Sequence, residues 1–504
     1  MANKAALAIV PWLACGGVVA ARAAPTDAII AKGAYLARVG DCVACHTAAG
    51  GEKFAGGEYL NSPFGRIATP NITPDKQTGI GNWTDDQFYR AMHTGVDSEG
   101  QYLYPAFPYE WFTKVTRDDV LAIKAYLFSL PPVHAPKKSN KLIFPFNIRA
   151  GIAGWNALYF KEGTFKPDST RSEAWNRGAY IVEGLGHCAA CHTPRNAAQA
   201  PIASEAYAGG KIDGWYAPNI TSDTKDGIGG WSEAAIVQYL KAGYAKGKGV
   251  AFGPMAETVH DSLAHLHDDD LQAIAVYLKS LPPKRNHGPG AVATADEQAA
   301  GQDVYVTNCS SCHQPDGAGL AGAVPPLKAN GAVTAGGPEN VIRVVLGGLA
   351  ARATYAPMPG FATVLSPQQI ADVTNYVRTS WGNSAAASAT SAMVASLTPK
   401  SATMMAGTHW CHAPSDPAVG KAAANDAGLL SNINDSNELP QMEKLVADVR
   451  RSAPNTPQDR LVNGLTASYC QILFKDASVL PDARGPRLDR FASLAYTVVS
   501  KHGR

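Results

Sequence analysis

Charge is scarce in this sequence and neither sign prevails: 17% of the 504 residues are charged, 44 of them Lys or Arg and 42 Asp or Glu. A balance this even gives no electrostatic reason to expect nucleic acid or an acidic partner surface. Long apolar runs are also lacking. Beyond residue 23 none reaches the roughly 20 residues of a membrane-spanning helix, so the mature chain is not expected to cross a bilayer by itself. Nor is there a dinucleotide fingerprint, a phosphate loop or a nucleophile paired with a base. No catalytic residue is proposed, and chemistry on a substrate is expected to belong to a partner. Disorder is excluded in turn, because 46% apolar residues suffice to bury cores, and the length suggests about three domains.

Residues 1–23 read as an export signal. Lys4 precedes an apolar run from Ala5 to Ala21, and Ala21-Arg22-Ala23 is a small-x-small cleavage site before Ala24-Pro25. A membrane anchor is the alternative, but Pro11 and Gly16-Gly17 shorten its apolar run. Cys15 leaves with the signal. Loss of the two bases Lys4 and Arg22, and of no acid, takes the formal charge from +2 to 0. The remaining eight cysteines then meet an oxidising compartment.

Six of those eight fall in one pattern written three times: Cys42-Val-Ala-Cys45-His46, Cys188-Ala-Ala-Cys191-His192 and Cys309-Ser-Ser-Cys312-His313. This is the attachment signature of c-type haem, and composition alone would yield only about 0.004 such matches. Two thiols three residues apart form thioethers to the two vinyl groups, which aims the following His at the iron. A thioredoxin-like redox pair does not require His after the second Cys, and structural zinc needs four ligands where each motif offers three. Cys411 is followed by His412, but Thr408 stands where the first Cys would be, so there is no fourth motif. In an exported chain a disulfide between Cys411 and Cys470 is the default.

The sequence also repeats itself. Pro70-Asn71-Ile72-Thr73 and Gly79-Ile80-Gly81-Asn82-Trp83 return 148 residues later as Pro218-Asn219-Ile220-Thr221 and Gly227-Ile228-Gly229-Gly230-Trp231. Gly33-Ala34-Tyr35 matches Gly178-Ala179-Tyr180, and helices ending at Pro131-Pro132 and Pro282-Pro283 carry Tyr126 and Tyr277. A plainer third unit has Gly301, Tyr305 and a closing helix with Tyr376. Each unit thus has a helix before its haem motif, a long loop and a closing amphipathic helix. The glycines at 33, 178 and 301 would let first and last helices approach closely, with the closing tyrosines as packing partners. The expected fold is mainly α.

These strings resemble the triple-haem cytochrome c subunits of bacterial membrane-associated alcohol, aldehyde and gluconate dehydrogenases, which oxidise substrates in the periplasm and reduce ubiquinone. The likeness is carried by Trp175-Asn176-Arg177-Gly178-Ala179-Tyr180, Glu183-Gly184-Leu185-Gly186-His187-Cys188, Cys191-His192-Thr193-Pro194-Arg195-Asn196 and Leu103-Tyr104-Pro105-Ala106. It covers residues 26–383 and breaks down after them. It implies cytochrome c-like domains at 26–135, 171–285 and 294–383, joined by an aromatic linker at 136–170. An Ala/Ser linker follows at 384–403, flexible by composition, and then a small helical cap at 404–504. The implied cofactor is haem c, three per chain and covalently bound at the six motif cysteines. His46, His192 and His313 bind iron on one side. The implied location is the periplasm, peripherally attached to the cytoplasmic membrane. The implied partners are ubiquinone and a dehydrogenase catalytic subunit, with an iron–sulfur subunit beside it. Ala91-Met92 and Ala106-Phe107-Pro108 favour a molybdenum-type aldehyde oxidiser over a quinoprotein alcohol oxidiser. Within the aromatic linker, Phe144 to Phe160 reads first as inter-domain packing and otherwise as a docking face for a membrane or partner.

Family members place an axial Met in a Pro-Met loop, and Met255 and Met358 stand in such loops here. A haem held by His and Met has no open position, so its work is one-electron transfer, and the Met raises its potential. The first unit departs from the pattern. The offset of 148 sets Phe107 opposite Met255, and Phe cannot bind iron; it also sets Met92 opposite Leu240. Met92 lies 50 residues after Cys42, close to the 49 between Cys309 and Met358. Met92 is therefore expected as the sixth ligand of the first haem, with Phe107 packed on the ring and His93 as the next candidate. An open iron there would instead suit a multihaem enzyme such as a peroxidase, the alternative to an electron-transfer subunit.

Overall fold

The computed structural model describes residues 25–285, 291–398 and 417–501, apart from positions 353, 354, 363, 432, 434–436, 457, 477 and 480. The expected signal segment, Cys15 within it, and Cys411 lie outside the described residues.

The first unit opens with α1 (Asp27–Val39), which runs into the motif helix α2 (Cys42–Cys45). A hairpin of β1 (Tyr59–Ser62) and β2 (Gly65–Ala68), then α3 (Asp85–Thr94) and α4 (Tyr109–Phe112), lead to the closing helix α5 (Arg117–Ser129). After β3 (Lys141–Leu142) and α6 (Gly151–Tyr159), the second unit repeats the order. It has α7 (Glu173–Glu183), α8 (Ala189–His192), the hairpin β4 (Gly210–Ile212) and β5 (Trp215–Ala217), and α9 (Glu233–Ala242). A second hairpin, β6 (Tyr244–Ala245) and β7 (Gly249–Val250), precedes α10 (Gly253–Asp261) and the closing α11 (Asp268–Ser280). The third unit is α12 (Ala295–Asn308), α13 (Ser310–His313), α14 (Glu339–Gly347) and α15 (Pro367–Thr379), with α16 (Ser391–Leu397) behind it. The cap is α17 (Pro417–Asn425), α18 (Ala427–Ser431), α19 (Glu438–Ser452), α20 (Gln458–Lys475) and α21 (Pro481–Lys501). The long loops thus hold small hairpins and a middle helix, which the apolar periodicity does not reveal.

Ser and Thr caps start most of the helices that build the units: Thr26, Thr84 and Thr116, then Ser172 and Ser232, then Thr294 and Ser366, while α11 and α14 begin at His267 and Pro338 without a side-chain cap. What then sets the arrangement is the crossing of first and last helix. A Cβ placed on Gly33 would lie 1.8 Å from the Ala122 carbonyl oxygen and 2.9 Å from the Tyr126 Cβ. At Gly178 the same atoms of Ala273 and Tyr277 would lie at 2.0 and 2.8 Å, and at Gly301 those of Asp372 and Tyr376 at 2.4 and 2.6 Å. Backbone meets backbone in all three units, and only Gly leaves the room.

The first two units share one core, in which Leu36, Phe88 and Ile123 join Ile181, Leu240 and Leu271. Their interface is reciprocal. Tyr35 of α1 donates its hydroxyl to Asp270 at the start of α11 and accepts the His267 N–H at 3.2 Å; Tyr180 of α7 donates to Asp119 of α5 and accepts the Thr116 N–H at 3.1 Å. The third unit has its own core around Tyr305, Ile342 and Ile370. It docks on the second through Asn340 of α14, whose amide accepts from the Tyr216 N–H at 3.0 Å and donates to the Tyr216 carbonyl at 2.8 Å. The cap buries Met442, Leu445, Leu461 and Leu465 in a separate core. Among the described residues no helix is long and apolar enough to cross a membrane.

Two linkers differ from their expected character. The Ala/Ser stretch is pinned to the third unit: the Asn375 amide bonds both backbone groups of Ala389, Arg378 donates to the Ala386 carbonyl, and Val394 is fully buried. Small side chains let this strap lie against α15, and composition alone cannot distinguish that from a loose tether. In the aromatic linker β3 adds to the first unit's sheet, with Gly65 opposite Leu142 and Arg66 opposite Lys141. α6 bridges the units: Asn156 accepts from the Tyr109 hydroxyl at 2.6 Å and Trp155 Nε1 donates to the Ala198 carbonyl at 2.9 Å. Inter-domain packing therefore accounts for its inner side, while Ile143 to Ile148 and Leu158 stay exposed.

Candidate haem sites

In the first two units the residue before the motif takes the left-handed conformation: Asp41 has φ 52° and His187 φ 33°. That turn ends the first helix and starts a new one carrying the two cysteines one helical turn apart. All six motif cysteines are free thiols, as thioether formation requires. Burial, followed by the charge of Asp41, pushes Cys42 and Cys45 up to about 12. Burial likewise pushes Cys188 to about 12 and Cys191 and Cys309 to about 11. Redox-active pairs need a depressed thiol pKa, so these environments oppose a thioredoxin-like role. Among the described residues no group of three or more His, Cys, Asp or Glu is set to hold a metal ion.

The histidines are better defined still. His46 Nδ1 lies 2.8 Å from the Pro70 carbonyl oxygen, and His192 Nδ1 lies 2.6 Å from that of Pro218. A carbonyl only accepts, so Nδ1 carries the proton and Nε2 presents its lone pair, the tautomer that an iron ligand needs. Burial lowers both imidazoles below the ordinary His value and keeps them neutral. The carbonyls are themselves held. Asn71 accepts from the Thr73 N–H at 2.9 Å and donates to the Val133 carbonyl at 2.7 Å; Asn219 does the same with Thr221 at 2.8 Å and Lys284 at 2.6 Å. This assigns a task to the repeated Pro-Asn-Ile-Thr strings, which the sequence shows only as a repeat: they tie the histidine's partner to the segment that follows the closing helix. In the third unit His313 faces the Pro325 carbonyl, although its Nδ1 makes no complete hydrogen bond. Unpaired thiols, a buried neutral imidazole and a free Nε2 together fit a covalently attached haem.

On the opposite side the units diverge. Met255 does not sit in a loop: it lies in the first turn of α10, where Pro254 is compatible with a helix start because that position needs no N–H. Met358 is extended, exchanging both backbone hydrogen bonds with Leu349 at 2.9 Å. Met92 is 6% exposed on α3 and packs in the shared core, as does its counterpart Leu240 on α9 at 8%. Phe107 meets Phe112 edge to face with ring centres 5.4 Å apart. His93 stacks on Tyr89 and places Nε2 3.3 Å from Glu162 of the linker, an orientation committed to that carboxylate.

The first two motifs influence each other electrostatically across the unit boundary. Cys191 acts electrostatically on Cys45 and Asp41 on Cys191, and α10 packs against α2. Burial and the charges of Asp261 and Glu257 on the second unit push Asp41 to about 8.

The cytochrome c family model matches residues 176–282 and 298–381. The chain is 40% identical over 395 residues to the cytochrome c subunit of a quinone alcohol dehydrogenase from Gluconacetobacter polyoxogenes, covering 74% of this chain and 84% of that one. It is 41% identical to the gluconate 2-dehydrogenase cytochrome c subunit of Pantoea cypripedii, covering 74% and 90%. The chain belongs to the family of dehydrogenase cytochrome c subunits. This cytochrome is also 43% identical to a nicotinate dehydrogenase subunit of Pseudomonas putida over 70% of its own length, and spans only 30% of that longer protein. The relatives agree on a haem c protein that accompanies a dehydrogenase, and the residues above supply the chemistry for it. Sequence reading overlooks Pro70 and Pro218, because backbone carbonyls leave no residue-type signature. It also overlooks Tyr35 and Tyr180 as interface residues, since their partners lie in the neighbouring unit.

Proposed function

We propose that this cytochrome carries three covalent haems c and passes electrons in the periplasm from a dehydrogenase subunit, aldehyde- or alcohol-oxidising, to ubiquinone. The carrying observation is the threefold motif with its histidines turned onto backbone carbonyls. Bound haem supplies reversible one-electron exchange at iron. The chain's residues do the rest. The six cysteines anchor the macrocycles, and the Pro70 and Pro218 carbonyls orient His46 and His192. Met255 and Met358 are proposed to close the second and third irons, and Met92 the first. Electrostatic coupling between the first two motifs, with α10 packed on α2, supports exchange between those sites. A molybdenum-type partner with an iron–sulfur subunit is preferred, on the Ala91-Met92 and Ala106-Phe107-Pro108 strings. Cys470, buried in α20, is proposed to pair with Cys411.

Purification of the native complex tests this directly. Mass spectrometry should find a dehydrogenase subunit, its substrate should reduce the haems, and a ubiquinone analogue should reoxidise them. Purification as a lone chain with peroxide turnover at a high-spin haem would overturn the reading.

A further inference from the structure

The aromatic linker displays apolar side chains that no described part of the chain covers. Among the described residues, eleven large hydrophobic side chains are exposed, and six of them fall within 143–159: Ile143, Phe144, Phe146, Ile148, Leu158 and Tyr159. Phe144 is 79% exposed and Leu158 76%. Scattered exposed apolar residues are ordinary, but a contiguous group marks a surface meant to be covered.

The display is rigid. β3 is hydrogen-bonded to β2, the Ile143 N–H donates to the Phe64 carbonyl at 3.0 Å, and the Phe64 and Phe146 rings stack at 3.8 Å. The Tyr104 hydroxyl donates to the Phe146 carbonyl at 3.1 Å, and α6 is fixed from beneath by Asn156 and Trp155. The outward side chains therefore project from a backbone that is held on both flanks.

Charge indicates what covers them. The whole chain has 44 bases and 42 acids, yet residues 137–166 contain six bases, Lys137, Lys138, Lys141, Arg149, Lys161 and Lys166, against the single acid Glu162. Arg149 turns to Asp97 at 3.3 Å, while the five lysines are exposed. Exposed apolar and aromatic side chains in a lysine-rich segment match the boundary of an anionic bilayer, where rings enter the acyl margin and ammonium groups meet lipid phosphates. An apolar protein interface has no need of five exposed lysines. We propose that the face formed by residues 143–148 and the outer side of α6 docks this cytochrome on an anionic lipid surface, without a spanning segment. Phe146 of the face is hydrogen-bonded to Tyr104 and stacked on Phe64, both of the first unit, so docking brings that unit to the lipid. The proposal adds a named contact to the peripheral attachment read above.

The test is flotation of the intact haem-loaded protein with vesicles of phosphatidylcholine containing about 30% phosphatidylglycerol. Wild type should float. The double variant Phe144→Ser/Leu158→Ser should float roughly tenfold less, because both side chains are removed from the buried apolar contact. Both sites are exposed, so haem content and spectrum should not change. The variant Lys137→Glu/Lys161→Glu should lose the preference for anionic over pure phosphatidylcholine vesicles. Equal flotation of wild type and the apolar variant would overturn the proposal. So would failure of wild type to float, including the outcome in which the apolar variant instead loses its dehydrogenase subunit, which would make the face a protein interface. Reduction of the haems by the dehydrogenase, read on the same samples, reports on the electron-transfer reading separately.

Discussion

The first two units are built alike up to the proximal histidine and differ beyond it. Both have a left-handed residue before the motif, a Pro carbonyl on Nδ1 and an Asn holding that loop. On the distal side the second unit opens α10 with Met255, where the first has Phe107 ahead of the four-residue α4. The proximal half is written in contiguous strings that also build the fold, so it cannot drift without cost. The proposed distal ligand is a single side chain, Met255 in the second unit and Met92 in the first. Exchange of that one side chain is expected to change the potential of one iron and to leave the neighbouring site alone.

The proximal side is the more consequential, and the largest effect is expected there. Replacing Cys188 and Cys191 together by Ala should remove one covalent haem, taking a haemochrome assay from three to two per chain; Cys42 and Cys45 should behave identically. A count still at three would show that these motifs do not carry the cofactor.

On the distal side the two units should part company. Met255→Leu should turn the second haem high-spin and lower its potential, with the other two unaltered. Met92→Leu should do the same to the first, and adding Phe107→Met in that background should restore a low-spin spectrum by rebuilding the second unit's arrangement. No spectral change in Met92→Leu would reduce Met92 to what Leu240 is, a core residue of α3's counterpart.

Packing should treat the units equally again. Gly33→Ala and Gly178→Ala each drive a methyl into a carbonyl of the closing helix, and each should cost about 1–3 kcal/mol in denaturant unfolding. A neutral result in either unit would mean that its helices can separate, contrary to the close crossing.

Much of this is legible in the sequence, for identifiable reasons. The cysteine spacing, the repeat offset and the glycine facing a tyrosine are local or periodic, and each names its partner by distance along the chain. The contribution of Pro70 and Pro218 is not legible because a carbonyl belongs to every residue. The strap at Ala386 to Val394 escapes notice because Ala and Ser read as flexible until Asn375 is seen to bind the backbone. Met255 reads as a loop residue because Pro before Met suggests one, whereas Pro254 starts α10. The inter-unit contacts are hidden for a simpler reason: Tyr35 and Asp270 are 235 residues apart.

That contact gives the smallest but most discriminating comparison. Asp270 is gripped twice within the second unit by the Arg177 fork, Nε and Nη2 each at 2.7 Å, and once from the first by Tyr35. Its counterpart Asp119 receives Lys32 at 2.6 Å and Tyr180, and Lys32 is half exposed. Burial pushes Asp270 up, but the hydrogen bonds from Arg177 and Tyr35 outweigh it and hold the carboxyl below its ordinary value. A group lowered in the folded state stabilises fully above its unfolded pKa, about 3.9 for Asp, and the contribution is lost as pH falls through the lower folded value. Tyr35→Phe should therefore cost about 1–2 kcal/mol at pH 7, since the bond is to a charged acceptor, and measurably less at pH 3. Arg177→Lys should make the Asp270 site behave like the Asp119 site, because an ammonium cannot reproduce two parallel hydrogen bonds. An equal cost of Tyr35→Phe at both pH values would show that the hydroxyl serves packing and that the carboxylate is held by Arg177 alone.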